Sequence, residues 1–251
     1  MKYIGILSTK ALLKLINEKN ITLARNQNPL TRLPGNTMIH EYFSKSLSDF
    51  KSTYHLIYFD FDNFKPYNDL YGFRNGDRLI LMFADLLKQA GFNDNRFIGH
   101  IGGDDFFMGI QSGGFSIIEP EMKELARQFQ KNAESFYDRD ALEKGFVIAL
   151  DRGNNTIKIP LITVSIAILE LPGNMERPCS IEDAANMIAQ LKKEAKQSET
   201  RIASAGIMEF LNLESDSETT SYVLDLSPPA GPVSTFKRRH NAYHLPDSRK
   251  Q

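Results

Sequence analysis

Apolar residues recur along the chain at two spacings, and these spacings predict an alternation of helices and strands. Intervals of three and four residues predict helices at residues 9–27, 36–50, 79–87, 119–137 and 181–196. Short apolar runs predict strands at residues 3–7, 54–61, 96–101, 106–110, 146–150 and 157–169. Ser8 or Thr9 is the expected cap of the first helix, which should end before Asn28-Pro29.

Two pairs of predicted strands are joined by short turn sequences. Gly-Gly-Asp-Asp follows residues 96–101, and Asp-Arg-Gly-Asn-Asn follows residues 146–150. Glycine, aspartate and asparagine tolerate the positive φ of tight turns, so both sequences predict hairpins. Hairpins mixed with helices predict an α+β fold, in which helices pack on a largely antiparallel sheet. The second hairpin, at residues 145–160, is expected to be an addition that lengthens this sheet.

The two ends of the chain differ from its centre, which suggests three parts. Residues 1–27 combine a strand and a helix, and their Gly-Ile-Leu-Ser-Thr-Lys-Ala-Leu-Leu resembles the closing piece of a CBS repeat, so we expect a remnant of an upstream domain. Residues 28–213 form the predicted main domain. Residues 214–251 are rich in serine, threonine and proline, and we expect a mobile tail because little there could offset the entropy of ordering.

Composition and charge exclude several classes of protein. Among 251 residues, 41% are hydrophobic and 24% are charged, values typical of a globular protein with a sizeable core. The 30 basic and 31 acidic residues leave a net charge of -1, so no global field attracts nucleic acid or an anionic membrane. No apolar run is long enough to span a membrane, and we expect a cytosolic protein. The single cysteine, Cys179, excludes an internal disulfide.

Two acidic clusters carry the strongest chemical signal. Asp60 and Asp62 end the strand at residues 54–61, and strand alternation directs both carboxylates to one face while Phe61 turns into the core. Asp104 and Asp105 lie in the turn of the first hairpin. If the two strands are neighbours, a carboxylate from each converges on one divalent ion. Mg²⁺ prefers such hard oxygen ligands and usually retains substrate phosphates.

The residues around these clusters favour a guanine nucleotide. Gly102 and Gly103 lack side chains, so a phosphate or base could approach the backbone closely. An amide and a carboxylate together suit guanine, because the carboxylate accepts from N1-H and the exocyclic amine, whereas adenine offers no matching donor pair. Taken singly, each residue has an ordinary alternative as a helix cap or turn residue. The ordered set is more specific; between the clusters it contains Lys65, Asn68-Asp69 and Gly76-Asp77.

Five sequence motifs occur in the order found in one known family. They are Asn28-Pro-Leu-Thr-Arg-Leu-Pro-Gly-Asn36, Phe59-Asp-Phe-Asp-Asn-Phe-Lys-Pro-Tyr-Asn-Asp-Leu-Tyr-Gly72, Gly76-Asp77, Gly102-Gly-Asp-Asp-Phe106 and Thr163-Val-Ser-Ile-Ala167. Residues 28–205 thereby resemble the GGDEF family, the diguanylate cyclase domain. The resemblance implies a cyclase- or polymerase-palm-like sheet flanked by helices. It also implies an activity that joins two GTP molecules into cyclic di-GMP.

The resemblance implies a role for each matching residue. Metal ions, Mg²⁺ or Mn²⁺, would be bound by Asp60, the backbone carbonyl of Phe61 and Asp104, with Asp105 in a position associated with catalysis. The substrate contacts that it implies are Asn68 and Asp77 for guanine, and Lys65, Gly103, Lys196 and the backbone of Asn63 and Phe64 for the phosphates. Family members work as antiparallel pairs, so we expect a transient homodimer controlled by an upstream sensory domain. The helix that ends near Gln27 would be the connecting lever.

Several positions depart from the usual pattern of the family. Phe73 and His100 stand where histidine and arginine are common, and Asp105 is one methylene shorter than the frequent glutamate. The basic run that grips the triphosphate becomes Lys196-Gln-Ser-Glu-Thr-Arg201. An inhibitory Arg-x-x-Asp site falls at Asn93-Asp-Asn-Arg96, where both charged positions are lost, so we predict no feedback inhibition there.

These departures leave two main functional hypotheses open. The first is a Mg²⁺-dependent diguanylate cyclase with a weakened triphosphate grip. The second is a non-catalytic module that binds GTP and regulates an attached domain. A purely structural scaffold is a third reading, but a scaffold has no physical need for two carboxylate clusters.

Overall fold

The computed structural model describes residues 8–91, 95–111, 114–150, 156–174 and 179–208, and within them helices and strands alternate as the sequence predicts. The predicted strand at residues 3–7 and the predicted tail lie outside the described residues. The elements are α1 (Thr9–Asn26), α2 (Asn36–Ser48), β1 (Tyr54–Asp62), α3 (Phe64–Tyr71), α4 (Phe73–Ala90), β2 (Arg96–Gly102), β3 (Asp105–Gln111), α5 (Phe115–Ala133), a 3-10 turn (Glu134–Phe136), α6 (Arg139–Lys144), β4 (Phe146–Leu150), β5 (Thr156–Pro160), β6 (Thr163–Leu171), α7 (Ile181–Gln197) and β7 (Ile202–Gly206).

The main sheet has five strands in the order β2-β3-β1-β6-β7. Strand β1 lies at the centre and pairs antiparallel with both β3 and β6. Strands β2 and β3 form the first predicted hairpin, and β7 joins β6 in parallel. The prediction of an α+β fold with a largely antiparallel sheet is therefore confirmed. Strand β7 escaped prediction because Ala, Ser and Gly fill most of its five positions, which leaves no alternation of apolar and polar residues.

Strand alternation in β1 builds a core on each face of the sheet. Phe59 and Phe61 point towards α4 and α5, where the Phe61 ring stacks on Phe129 with 4.6 Å between ring centroids. Leu56 and Tyr58 point the other way and pack against residues of α2 and α7. All nine residues of β1 are buried because helices cover both faces of this central strand.

The second hairpin does not lengthen the main sheet, so that expectation was wrong. Strands β4 and β5 pair with each other in a separate two-stranded sheet. The apolar run predicted as one strand at residues 157–169 is divided, because β5 ends at Pro160 and β6 begins at Thr163. Proline cannot donate a ladder hydrogen bond, which makes it a natural end for a strand. A small cluster of Ala141, Val147 and Ile159 supports the hairpin.

Two short helices, α3 and α6, were not predicted. Helix α3 contains Pro66 in its first turn and spans only eight residues, too few for a clear apolar period. Helix α6 depends on its ends: Asp138 accepts a 2.8 Å hydrogen bond from the Ala141 amide, and Gly145 closes the helix at φ 74°. Helix α5 also begins four residues before its predicted start at residue 119.

Helix α1 agrees with the sequence prediction. The Ser8 hydroxyl accepts a 3.2 Å hydrogen bond from the Ala11 amide and so caps the helix. Its apolar side chains are exposed, among them Leu12, Leu13, Leu15, Ile16 and Ile21. Within the described ranges, no helix combines the length and the apolar character needed to cross a membrane.

Gly109 of β3 offers a test of the packing between α2 and the sheet. A Cβ at this position would lie 2.0 Å from the Cε1 atom of Tyr42, whose ring stacks on Phe97 at 4.7 Å. We expect Gly109→Ala to lower the free energy of unfolding by about 1 to 3 kcal/mol, because the aromatic stack must move. Urea unfolding followed by circular dichroism measures the change.

The matched control for this variant is Gly206→Ala in β7. Within the described ranges, no heavy atom lies within 4 Å of a Cβ built at Gly206, so we expect little change in stability. Equal unfolding midpoints for the two variants would contradict the packing described for Gly109.

Candidate functional site

The pairing of β1 with β3 brings the two acidic clusters together. In the antiparallel register Asp60 lies directly opposite Asp105, at the ends of their strands. Asp104 lies in the adjoining turn that connects β2 to β3. The approach of strand-end carboxylates expected from the sequence is therefore present. Directly opposed like charges repel, so this edge of the sheet requires compensating cations.

Two lysines of α7 contribute positive charge to the acidic edge. The Nζ atom of Lys196 lies 2.6 Å from Asp60 Oδ1. The Nζ atom of Lys192 lies 3.2 Å from Asp60 Oδ2 and 3.4 Å from Asp105 Oδ1. Lys196 was predicted as a phosphate contact, whereas Lys192 was missed. The available signal was its spacing, because residues four apart lie on one helical face.

The carboxyl groups of Asp104 and Asp105 are harder to ionise in the folded protein despite these lysines. Burial, together with the charges of Asp105 and Asp60, raises the pKa of Asp104 to about 6. Burial also raises the pKa of Asp105, although the Lys192 ammonium opposes that shift. No lysine, arginine or histidine among the described residues lies within ion-pair distance of Asp104. When ionised, this carboxylate therefore carries a charge that no nearby cationic side chain of the described residues neutralises.

The donor set fits a divalent ion that is shared with a nucleotide. In the described part of the chain, no three carboxylate, imidazole or thiolate groups lie close enough to hold an ion by themselves. Asp60, Asp104 and the carbonyl of Phe61 would supply part of the shell, and phosphate oxygens and water the rest. Mg²⁺ is commonly bound in this way, through one or two carboxylates and substrate phosphates.

Asp62 has different contacts from Asp60, because it accepts hydrogen bonds from hydroxyl groups and Asp60 pairs with lysines. Its Oδ2 atom accepts a 2.7 Å hydrogen bond from the Thr163 hydroxyl, and its Oδ1 atom accepts one of 2.8 Å from the Ser165 hydroxyl. Both donors belong to β6, the neighbour of β1. The Thr-Val-Ser sequence therefore anchors a buried carboxylate, a structural role that sequence reasoning did not assign.

The glycine turn is open on its outer side and anchored on its inner side. Gly103 has φ 56°, and no atom of the described residues lies within 4 Å of a Cβ built there, which leaves room for a ligand close to the backbone. His100 Nε2 donates a 3.0 Å hydrogen bond to the Gly103 carbonyl, and Nδ1 lies 3.0 Å from the Thr31 hydroxyl. Burial lowers the pKa of His100, consistent with a neutral ring that accepts from Thr31. The ring stacks on Phe106 at 4.2 Å.

The predicted guanine residues lie where α3 meets α4. A Cβ at Gly76 would lie 1.9 Å from Asn68 Oδ1, so the glycine makes space for this carboxamide. The Asn68 Oδ1 atom is buried and has no hydrogen-bond partner among the described residues, which leaves hydrogen-bonding capacity unused. Asp77 follows Gly76 directly and is exposed. The amide and the carboxylate are therefore carried by adjoining elements.

Three of the predicted phosphate contacts lie at the start of α3. Asn63 has φ 64° and precedes the helix, and Phe64 is its first residue. Free amides at a helix N-terminus attract anions. Lys65 is exposed in the first turn of the same helix. The structure thus sets these three residues immediately after β1, which carries Asp60.

Two arginines lie in segments where the sequence differs from the usual pattern of the family, and both form hydrogen bonds with other residues of the chain. The Arg201 guanidinium donates to the carbonyl of Lys196, at the end of α7. Arg96 forms a two-pronged ion pair with Glu121 and also donates to the carbonyl of Ala90. Asn93 and Asp94 of the expected inhibitory site lie outside the described residues. Phe73, the substitute for the family's histidine, is 74% exposed at the start of α4.

The fold and the acidic turn define an α+β domain of the cyclase or palm type with a candidate nucleotide site. Residues 25–150 match the family described as "Diguanylate cyclase, GGDEF domain". The chain belongs to this GGDEF family, as the motifs indicated.

Known relatives share the fold at low sequence identity. The GGDEF domain of DgcB from Caulobacter crescentus, solved in complex with c-di-GMP, has a TM-score of 0.54 at 18% identity and covers 73% of this chain and 96% of that one. Diguanylate cyclase SiaD from Pseudomonas aeruginosa, solved with its activator SiaC, has a TM-score of 0.52 at 18% identity and covers 79% of this chain and 68% of that one. At these identities the likeness concerns the fold alone.

One curated relative matches part of the chain. The bifunctional diguanylate cyclase/cyclic di-GMP phosphodiesterase MucR of Pseudomonas aeruginosa is 26% identical over 121 residues. The match covers 45% of this chain and 17% of MucR, so the chain spans only a small part of that relative's length.

The raised pKa of Asp104 predicts a stabilising substitution. The folded protein disfavours the ionised Asp104 carboxylate, whose pKa is raised to about 6, so above that pH its charge lowers the free energy of unfolding. This loss shrinks as the pH falls towards about 3.9, the pKa of an aspartate in the unfolded chain. Without divalent cations, we expect Asp104→Asn to raise the unfolding free energy at about pH 7.5 by about 1 kcal/mol, since solvent screens part of the repulsion. Urea unfolding at several pH values measures this gain, which should shrink towards about pH 4.5. A variant less stable than the unmodified chain at about pH 7.5 would contradict this effect of the Asp104 charge.

Proposed function

We propose that this domain is a diguanylate cyclase that condenses two GTP molecules into cyclic di-GMP and releases pyrophosphate. The observation that carries the proposal is the opposition of Asp60 and Asp105 across β1 and β3, beside Asp104 and the open glycine turn. A purely structural turn would not need three carboxylates at one edge of the sheet, two of them with raised pKa values, next to the open backbone of Gly103.

In the proposed site, Asp60, Asp104 and the Phe61 carbonyl hold Mg²⁺ or Mn²⁺. A bound divalent ion supplies charge neutralisation at the α-phosphate and lowers the pKa of the attacking 3′-hydroxyl. The remaining substrate groups are positioned by the protein: Asn68 and Asp77 bind guanine, and Lys65, Lys196, Gly103 and the amides at Asn63 and Phe64 bind the phosphates. Asp105 lies beside the reacting atoms, where its charge is balanced by Lys192.

The proposal includes assembly of two subunits, because each would present one GTP across an antiparallel interface. The exposed apolar side chains of α1, such as Leu12 and Leu13, support a role for this helix in linking the domain to a partner and to an upstream sensory domain. Activity is then controlled by how the two subunits meet.

A second candidate function is a regulatory module that binds GTP without turning it over. One observation favours it: the Arg201 guanidinium is engaged with the Lys196 carbonyl, in the segment where the family's basic run grips the triphosphate. Gln197, Ser198 and Glu199 contribute no positive charge in that segment. Metal and guanine contacts would serve both functions equally.

The proposed activity is tested by incubating the concentrated protein with GTP and Mg²⁺, and separately with Mn²⁺, followed by chromatographic separation of the nucleotides. We expect cyclic di-GMP and pyrophosphate from the unmodified chain. Asp104→Ala should reduce turnover at least a hundredfold, on the order of a lost electrostatic catalytic contact, while the circular dichroism spectrum stays unchanged. Bound but intact GTP would favour the regulatory module, and full activity of the variant would exclude Asp104 as a metal ligand.

Guanine recognition is tested separately at Asp77. We expect Asp77→Ala to reduce the preference for GTP over ATP in a binding titration by about tenfold or more, since a carboxylate that accepts from guanine would be lost. Asp85→Ala is the matched control, because Asp85 is exposed on the same helix and pairs with Lys88. If both variants keep the original selectivity, the assignment of Asp77 is wrong.

A further inference from the structure

Lys192 occupies a position that neither the sequence motifs nor the proposed catalytic roles explain. Its ammonium group lies between the two opposed strand ends, within 3.2 Å of an Asp60 oxygen and 3.4 Å of an Asp105 oxygen. The same Nζ atom lies 3.8 Å from the centre of the Tyr58 ring. A single monovalent cation therefore bridges the two carboxylates that the sheet register forces together.

The surroundings of Lys192 differ from those of Lys196, its neighbour one turn along α7. The Lys192 side chain is 22% exposed and touches both acids, whereas Lys196 is 45% exposed and pairs with Asp60. An aromatic ring that faces an ammonium group stabilises the charge when water is partly excluded. Lys192 is thus held in place on three sides, as expected of a fixed counter-ion rather than a flexible surface contact.

We propose that Lys192 is an intramolecular counter-ion that holds Asp60 and Asp105 together in the metal-free protein and competes with a divalent cation for Asp60. This inference rests on the proposed function only in assuming that Asp60 is a metal ligand. An ammonium group and a metal ion cannot share one carboxylate oxygen without repulsion between their charges. Binding of the ion at Asp60 must therefore displace the ammonium group or move the carboxylate.

The geometry also indicates where the displaced ammonium group would remain. Asp105 Oδ1 lies 3.4 Å and the centre of the Tyr58 ring 3.8 Å from Nζ, so two contacts of the ammonium group do not involve Asp60. Lys192 then stays paired with Asp105 while Asp60 turns to the ion. In this arrangement Asp105 stays paired with lysine, and Lys192 lowers the affinity of the site for metal in addition to Lys196, which pairs with the other oxygen of Asp60.

The test measures Mn²⁺ binding in the absence of nucleotide by the electron paramagnetic resonance signal of free Mn²⁺. We expect Lys192→Met to bind Mn²⁺ about fivefold more tightly than the unmodified chain, the size of a partly exposed ion pair. Lys192→Arg, which keeps the charge, should stay near the unmodified affinity. Lys88→Met is the matched control, because it removes an exposed lysine that pairs with Asp85 on α4.

A thermal melt gives a second readout that a merely structural lysine would not produce. Without metal, Lys192→Met should melt below the unmodified chain, and added Mn²⁺ should raise its melting temperature by more than it raises that of the unmodified chain. If this variant does not fold, Lys192→Gln keeps polar contacts without the charge and replaces it in both measurements.

The outcomes separate this inference from the proposed function. One outcome overturns the counter-ion proposal and leaves the metal site standing. In it, the unmodified chain binds Mn²⁺, Asp60→Asn does not, and the affinity of Lys192→Met for Mn²⁺ equals that of the unmodified chain or is weaker. If Asp60→Asn leaves Mn²⁺ binding unchanged, both the metal assignment and the competition proposal are overturned. If no variant, Lys192→Met included, binds Mn²⁺ without nucleotide, the competition proposal alone is overturned, because phosphate oxygens would complete the shell of the proposed metal site.

Discussion

The register of β1 against β3 is the constraint on which the site depends. It places Asp60 opposite Asp105 near the point where the two strands end, and the backbone positions of the two residues stay adjacent as long as the central pairing of the sheet is intact. Neighbouring side chains compensate the negative charge at this edge of the sheet. Two lysines approach from α7, and Asp62 is bound by hydroxyl groups of β6. The resulting edge is rigid because its charged groups are carried by strands and a helix rather than by long loops.

Sequence patterns were sufficient for the elements that bury long apolar stretches. Strand β1 and the β2-β3 hairpin were predictable because apolar runs were bounded by acids and glycines, and α7 had a clear helical period. Helices α3 and α6 were missed since short helices depend on their caps more than on periodicity. The split at Pro160 was missed because an unbroken apolar run does not reveal that its two halves belong to different sheets.

In the candidate site, too, residues marked by local sequence patterns could be predicted, whereas contacts between segments distant in sequence could not. The carboxylates and the glycine turn were readable from the sequence because each lies at the end of a predicted strand. Asn68 and Asp77 were singled out by the motifs of the family, since Asn68 lies in a helix that was not predicted. Lys192 was not readable, since its contact with Asp60 is made by packing α7 on the sheet across 132 positions of sequence. The Thr31-His100-Gly103 hydrogen bonds likewise require the loop after α1 to lie beside the turn.

The acidic edge has a consequence for the order in which ligands bind. Three carboxylates, those of Asp60, Asp104 and Asp105, face the ammonium groups of Lys192 and Lys196, which leaves one negative charge in excess. A bare triphosphate would meet a surface of its own sign. In the proposed function, a divalent cation would reverse that sign, so a nucleotide that arrives together with its cation would be attracted where the free nucleotide would be repelled. The edge of the sheet would then act as an electrostatic filter on the charge state of the arriving ligand, before any hydrogen bond to a base is made.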